Sequence, residues 1–452
     1  MLKVNLANRV PNFSLKLLIV ATTAVTLGTN AYSQTISSPG PMRGLYEWAN
    51  DQYIAPQTLA PYDSYARFKW SQLETTQGSY NFSAIDAYVN AARAARQKFS
   101  FRIEACWAGE NSIVPQYLMN EMPNAFWCDM YAASGNDTYV PDWNSPAFLS
   151  ATANLLNALG AKYNNDPAVG WVDVGIYGDW GEWHVQEFPY AQHPNAAPAT
   201  QATERAIIDD HVSAFSNKRI IMGGGDQYGF DYAMGLSPNI GFRLDCLGGP
   251  WFTGCLGWLP DWATLGVNRW QTAPFVAEFL FPNPSGMMAT ALSQVEANHV
   301  TMVANGNISA GWSGLSAADK QNFETIGAVT GYNFQIWSPI TTLTPGQATV
   351  DYLFQNVGNA PAYEPWQVSF EVMNSSQVVV GTHLSSLNLE TTLPWSVPTP
   401  RSNYVTYPTN LPHGTYSFNI LITDPSGYRL PMPLRGLTPS PDGSYVITTF
   451  QL

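Results

Sequence analysis

Eight short apolar or aromatic runs occupy residues 43 to about 330, most of them separated by a helical pattern. They are RGLYEW (43–48), YARFKW (65–70), FSFRIEA (99–105), VGWVDVGI (169–176), RIIMGG (219–224), IGFRLDC (240–246), PFVAEFLF (274–281) and VTMVAN (300–305). Each is the length of one strand, and β-branched and aromatic residues dominate. The segments between them carry helix signals. In NFSAIDAYVNAARAARQK, Ser83 reads as the N-cap with Asp86 three residues on, and Ile85, Val89 and Ala92 share one face. Ser145 precedes Pro146 at a helix start, and Ser316 with Asp319 forms a second Ser-x-x-Asp box. Eight strands alternating with helices predict a (β/α)8 TIM barrel, a fold of about 250 residues before insertions. A doubly wound open sheet is the competitor, but no strand is followed by GxGxxG, and Gly223–Gly225 is a lone glycine run.

Beyond residue 336 the period changes to two. TVDYLFQN, WQVSFEV, QVVVGT, YSFNILI and SYVITTF alternate apolar and polar residues between turn signals such as NVGNAP and DPSGY. This predicts an all-β, immunoglobulin-like sandwich over 337–452, with SPITTLTPGQ (338–347) as the junction to a barrel over 34–336. At the other end, Lys3, Arg9 and Lys16 precede the apolar run LLIVATTAVTLG and a small-residue AYS site. Residues 1–33 therefore read as a secretory signal peptide, with export to the periplasm or beyond and no stable membrane insertion once the leader is removed.

The formal charge of −13 becomes −16 when the three basic leader residues go. Such a chain repels phosphate backbones, which argues against a nucleic-acid partner. It suits a neutral substrate such as a carbohydrate, and 16 Trp and 23 Tyr supply flat rings that pack on the C–H faces of sugars. Cys106, Cys128, Cys246 and Cys255 lack metal-ligand spacing, so no zinc site is expected. In an oxidising compartment Cys106–Cys128 and Cys246–Cys255 close the shortest loops and are the preferred pairing. No cofactor or metal is expected, since GxSxG, P-loop, HExxH and EF-hand patterns are absent.

A barrel of this kind works at the C-terminal ends of its strands. Strand four runs into YGDWGEWH, and strand seven carries Glu278 near its end. Glu182 and Glu278 can then face each other across the mouth, as glycoside hydrolysis requires. Trp180 and Trp183 would form a sugar platform and desolvate Glu182, raising its pKa as a proton donor needs. Arg67 on strand two is the candidate cation beside Glu278, or else a purely structural ion pair. Asp179, His184 and Glu47 are candidates for sugar hydroxyls, and Trp312 for a floor under the sugar or for core packing. Asp226 and Asp245 read as loop caps or structural groups. The aromatic segment 106–131 between strands three and four should form one wall of the cleft.

RFKWSQLETTQGSYNFSAIDAYVNAAR resembles the segment after strand two in bacterial (β/α)8 glycosidases of the β-galactosidase-like clan. VDVGIYGDWGEWH is similar to their strand four ending in the acid/base glutamate, and VAEF stands where they carry the nucleophile. Barrel plus sandwich also resembles a bacterial group of glycosidase-like domains of unknown function. The resemblance implies a retaining mechanism with Glu182 as acid/base and Glu278 as nucleophile. Gly181 departs from it, because the clan has Asn there to bind the sugar 2-hydroxyl. Either Asp179 or His184 makes that contact, the sugar binds differently, or the site is no longer catalytic. The alternative expectation is accordingly a non-catalytic glycan-binding or surface-assembly protein on a degenerate glycosidase barrel.

Overall fold

A computed structural model describes residues 40–51, 62–111, 113–129, 137–249, 252, 268–283, 286–394, 401–408 and 410–452. The expected leader and Cys255 lie outside them. Eight parallel strands close into a barrel in sequence order: β1 (Gly44–Trp48), β2 (Ser64–Lys69), β3 (Phe99–Glu104), β4 (Val169–Val174), β5 (Arg219–Gly223), β6 (Gly241–Leu247), β7 (Phe275–Phe279) and β8 (Met302–Ala304). All eight coincide with the apolar runs read from the sequence. β8 pairs back onto β1, with Leu45 opposite Val303.

Alternation along each strand sorts its side chains between two cores. Phe99, Phe101 and Ile103 of β3 and Phe275, Ala277 and Phe279 of β7 point outward into the large core shared with the helices. Tyr46, Trp48, Tyr65, Trp171 and Val276 point inward and form a second cluster inside the barrel. Tyr65 and Trp171 stack there at 6.2 Å.

The helix Ser83–Ala95 forms as expected, but its N-cap is Phe82 rather than Ser83. Asn81 supplies the oxygen that accepts from the Ser83 N–H. Ser145 and Ser316 do cap their helices, accepting from Ala147 and Asp319. Asp226 caps the helix Gln227–Leu236 through the Gly229 N–H.

The C-terminal region forms two antiparallel sheets. β9 (Phe334–Thr344), β10 (Gln347–Asn356) and β13 (Arg401–Pro408) make one; β11 (Gln367–Asn374), β12 (Val379–Leu384), β14 (Thr415–Thr423) and β15 (Tyr445–Gln451) make the other. Tyr352, Phe370, Phe418 and Ile420 lie in the core between them. Residues 338–347, expected as a junction, are instead the end of β9 and the turn into β10. A register shift between Trp337 and Ile340 absorbs Pro339, which has no N–H for the ladder. Barrel and sandwich are tied by charge: Arg429 donates to both oxygens of Asp63, at 3.0 and 3.2 Å, and Glu364 pairs with Lys98 and Arg429.

The expected Cys106–Cys128 disulfide is not formed. Both residues are free, buried thiols that burial pushes up, Cys128 to about 11. The hairpin Phe126–Cys128/Thr138–Val140 is held by other means, including the 2.7 Å bond from the Gly109 N–H to the Thr138 hydroxyl and ring packing of Phe126 on Tyr190. Cys246 is disulfide-bonded. No helix among the described residues is long and apolar enough to cross a membrane.

Candidate active site

The C-terminal ends of β2, β3, β6 and β7, with the turn after β4, bring a charged cluster together at the barrel mouth. β7 directs Glu278 inward, two residues after Val276, and leaves it 1% exposed. Arg67 on β2 donates from Nη2 to both Glu278 oxygens, at 2.9 and 2.8 Å. Its Nη1 lies 2.8 Å from Glu182 Oε1. Arg67 thus links the two glutamates expected to do the chemistry. Trp48 covers it, with the guanidinium carbon 4.5 Å from the ring centre.

Glu182 reaches the cluster through a turn built from unusual backbone. Gly178, Trp180, Gly181 and Trp183 all have positive φ. At Gly181, φ is +65° and a Cβ would come within 3.2 Å of Arg102 Cδ, so any side chain there meets strain and crowding. This is the position where the resembling enzymes carry Asn. Gly225 matters for the same segment: a Cβ there would lie 2.2 Å from the Glu182 carbonyl oxygen. The lone glycine run after β5 therefore lets the chain pass close under Glu182.

The protonation of Glu182 runs against expectation. Burial pushes its pKa up, but Arg67, the His184 hydrogen bond and Arg102 outweigh burial and hold the carboxyl well below the ordinary range. Arg102 Nη1 is 3.3 Å and His184 Nε2 3.5 Å from its oxygens. Burial disfavours the His184 cation, yet its bonds to Glu182 and Glu187 raise its pKa to about 10. The aromatic flank was expected to raise Glu182. It fails to do so because the cations come from β2, β3 and His184, and each lies closer than any apolar shielding can offset.

Trp183 is not a platform. It is fully buried, its indole N–H donates to the Val174 carbonyl at 2.7 Å, and its ring packs edge-on to Tyr177. The positive φ turns it back into the core. Trp180 remains partly exposed, 5.7 Å from the His184 ring, and its carbonyl accepts from Arg102. Asp179 is buried and ties the rim together, accepting from the Ala108 and Trp180 N–H groups. Burial raises its carboxyl to about 7. Glu47 and Trp312 are not brought into the cluster. Glu47 alternates with the inward Tyr46 and Trp48, and Trp312 packs edge-on to Phe323 at 5.5 Å.

A buried polar network continues below the glutamates. Arg243 donates to Glu278 Oε1, to Tyr46 Oη at 2.7 Å and to Asp173 Oδ2 at 2.8 Å. Tyr65 donates to the same Asp173 oxygen at 2.9 Å, and Arg102 Nη2 is 3.3 Å from it. Glu104, fully buried beside Arg67, is raised by burial to about 8. Asp245, two residues along β6 from Arg243, also points into the cluster. One oxygen each of Glu182, Asp245 and Glu278 all lie within 4.8 Å of one another. Strand parity was the signal that could have found these groups, because Arg102/Glu104 and Arg243/Asp245 are charges two apart in otherwise apolar strands.

Three carboxylates at that spacing are a donor set a hard cation could use. Here both oxygens of Glu278 and one of Glu182 already face guanidinium nitrogens, so Arg67 and Arg243 take the place a cation would fill.

A comparison with curated proteins gave no match. Among solved structures, the β-amylase catalytic domain from Paenibacillus polymyxa is 11% identical, covering 60% of this chain and 91% of that one, with a TM-score of 0.38. Endo-glycoceramidase II from Rhodococcus sp., bound to a five-membered iminocyclitol, is 10% identical over 82% of this chain and 98% of its own, with a TM-score of 0.39. Likeness at that level adds nothing to the barrel topology already traced. The family model of glycoside hydrolase family 42, described as β-galactosidase, matches residues 47–175, from β1 through β4. Over that span the chain is similar to the β-galactosidase-like barrel glycosidases, and the match supports a glycoside hydrolase.

Proposed function

We propose that the chain is an exported retaining glycoside hydrolase in which Glu278 is the nucleophile and Glu182 the acid/base. One observation carries this reading: across the barrel mouth, oxygens of Glu182 and Glu278 approach within 4.8 Å with Arg67 bonded to both. Retaining enzymes hold their carboxyl groups about 5–5.5 Å apart, whereas inverting enzymes leave roughly 6.5–9.5 Å for a water.

In the first step a Glu278 oxygen attacks the anomeric carbon as a proton passed through Glu182, itself ionised in the free site, reaches the departing oxygen. Glu278 becomes a neutral ester and gives up its claim on Arg67 and Arg243. Arg67 keeps its contact with Glu182, which is then the ion that needs it. In the second step Glu182 takes a proton from water, which displaces Glu278 from the sugar. Galactosides head the substrate panel because of the family match, and the leader motivates export.

The test is hydrolysis of aryl glycosides and polysaccharides by the mature protein beside Glu182→Gln and Glu278→Gln. Turnover lost in both variants supports the pair. A second reading, a glycan-binding protein on a retired barrel, draws on Gly181 and on the ionised state of Glu182. It requires glycan binding equal in the wild type and both variants, with no turnover.

A further inference from the structure

Glu182 has three cationic partners within 3.5 Å, and Glu278 has two guanidiniums. Asp245, with an oxygen within 4.8 Å of one on each, has neither. Among the described residues no Lys, Arg or His pairs with it, and its buried Oδ1 has no hydrogen-bond partner. Its charged surroundings are Glu278 on β7, Glu182 after β4, Arg243 on its own strand and Arg102 on β3. The cations of this site are thus committed to two of three crowded carboxyls, and like charges so close cannot all ionise. The third keeps a proton.

Resting on the retaining reading above, we propose that the proton needed by the leaving group is stored on Asp245 in the free site and reaches the glycosidic oxygen through Glu182. Asp245 is then a positioning residue for that proton, with an oxygen within 4.8 Å of one on Glu182, in reach of it directly or through one water. The transfer balances. The Asp245 O–H bond breaks and the proton passes to Glu182, then to the glycosidic oxygen. The anomeric C–O bond breaks with its electron pair going to that oxygen, and a Glu278 oxygen bonds to the anomeric carbon. Two of the three carboxyls are anionic before the step (Glu182, Glu278) and two after it (Glu182, Asp245), so the fixed guanidiniums face the same total charge throughout. Burial, with Glu278 and Glu182 nearby, pushes the Asp245 carboxyl well above the ordinary aspartate range, in line with this storage.

The experiment has two arms on the full mature chain. With 13C-carboxyl aspartate labelling, a resonance besides that of Asp179 should stay in the protonated position well above the ordinary range near 3.9, and should vanish in Asp245→Asn. An Asp245 resonance that titrates like a free aspartate overturns the proposal, whether or not any glycoside is turned over. In the kinetic arm, Asp245→Asn should lower kcat/KM about 100-fold or more for sugar or alkyl leaving groups. It should lower dinitrophenyl glycosides, which need no acid, less than about 10-fold, and move the alkaline limb of the pH profile to lower pH. Equal losses on both leaving groups, or an unmoved limb, overturn it. A wild type that hydrolyses nothing sinks the glycosidase reading instead, and the labelling arm still decides where the proton sits.

Discussion

Arg67 Nη2 lies 2.9 and 2.8 Å from the two carboxylate oxygens of Glu278, on strands three places apart around the barrel. The same guanidinium reaches Glu182 through its other terminal nitrogen. Arg67→Met would leave the fully buried Glu278 with Arg243 as its remaining guanidinium and take one cation from Glu182. A buried ion pair broken on one side costs about 3–5 kcal/mol. The expected result is a loss of that order in urea unfolding, with kcat/KM down at least about 100-fold. Lysine should rescue charge but not the two-pronged geometry.

His184 gives a pH signature of its own. Its folded pKa is raised from 6.5 to about 10 against the opposing effect of burial. A raised cationic group contributes its full stability below its unfolded value and loses it as pH rises through the folded value. Wild-type Tm should therefore fall more steeply between pH 7 and about 10 than the Tm of His184→Gln. Parallel curves would show that the Glu182 and Glu187 contacts do not hold in solution.

Glu364 behaves oppositely, at the seam between barrel and sandwich. Burial opposes its ionisation, but Arg429 and Lys98 lower its pKa from 4.5 to about 2. Its contribution is present above 4.5 and lost as pH falls toward 2, so Glu364→Gln should flatten the acid side of the stability profile. Arg429→Met, which strips partners from both Asp63 and Glu364, should destabilise by about 3–5 kcal/mol. Little change in Tm would mean that this network does not tie the two parts together.

Gly225→Ala tests the approach beneath Glu182. The added Cβ would meet the Glu182 carbonyl oxygen at 2.2 Å and the His184 nitrogen at 2.7 Å, backbone atoms that cannot swing aside. We expect about 1–3 kcal/mol of lost stability and a fall in kcat of at least about tenfold, because the turn that aims Glu182 must shift. An unchanged kcat would show that the turn tolerates displacement.

The barrel was legible because its strands are buried on both faces and read as apolar runs with sharp ends. Glu182, Glu278 and Arg67 were legible as polar residues at those ends. What stayed hidden depends on contacts distant in sequence or on backbone sign. Nothing in DWGEWH announces that Trp183 has positive φ and turns into the core. The ionisation of Glu182 is governed by arginines on β2 and β3, far back along the chain. Pro339 disguised the end of β9 as a junction, because proline is confined to bulges and edges in sheets. Asp245 was visible as a residue, but its place beside Glu182 and Glu278 was not, because only the closed barrel sets β6 beside β7 and near the turn after β4.

The two-glutamate account is tested most directly by trapping the covalent intermediate. The mature protein is incubated with a 2-deoxy-2-fluoro glycoside of a sugar it releases, digested, and the labelled peptide sequenced by mass spectrometry. The account predicts one sugar per chain, esterified to Glu278 and absent from Glu278→Gln. A label on any other residue, or continued turnover with inversion and no label, would contradict it.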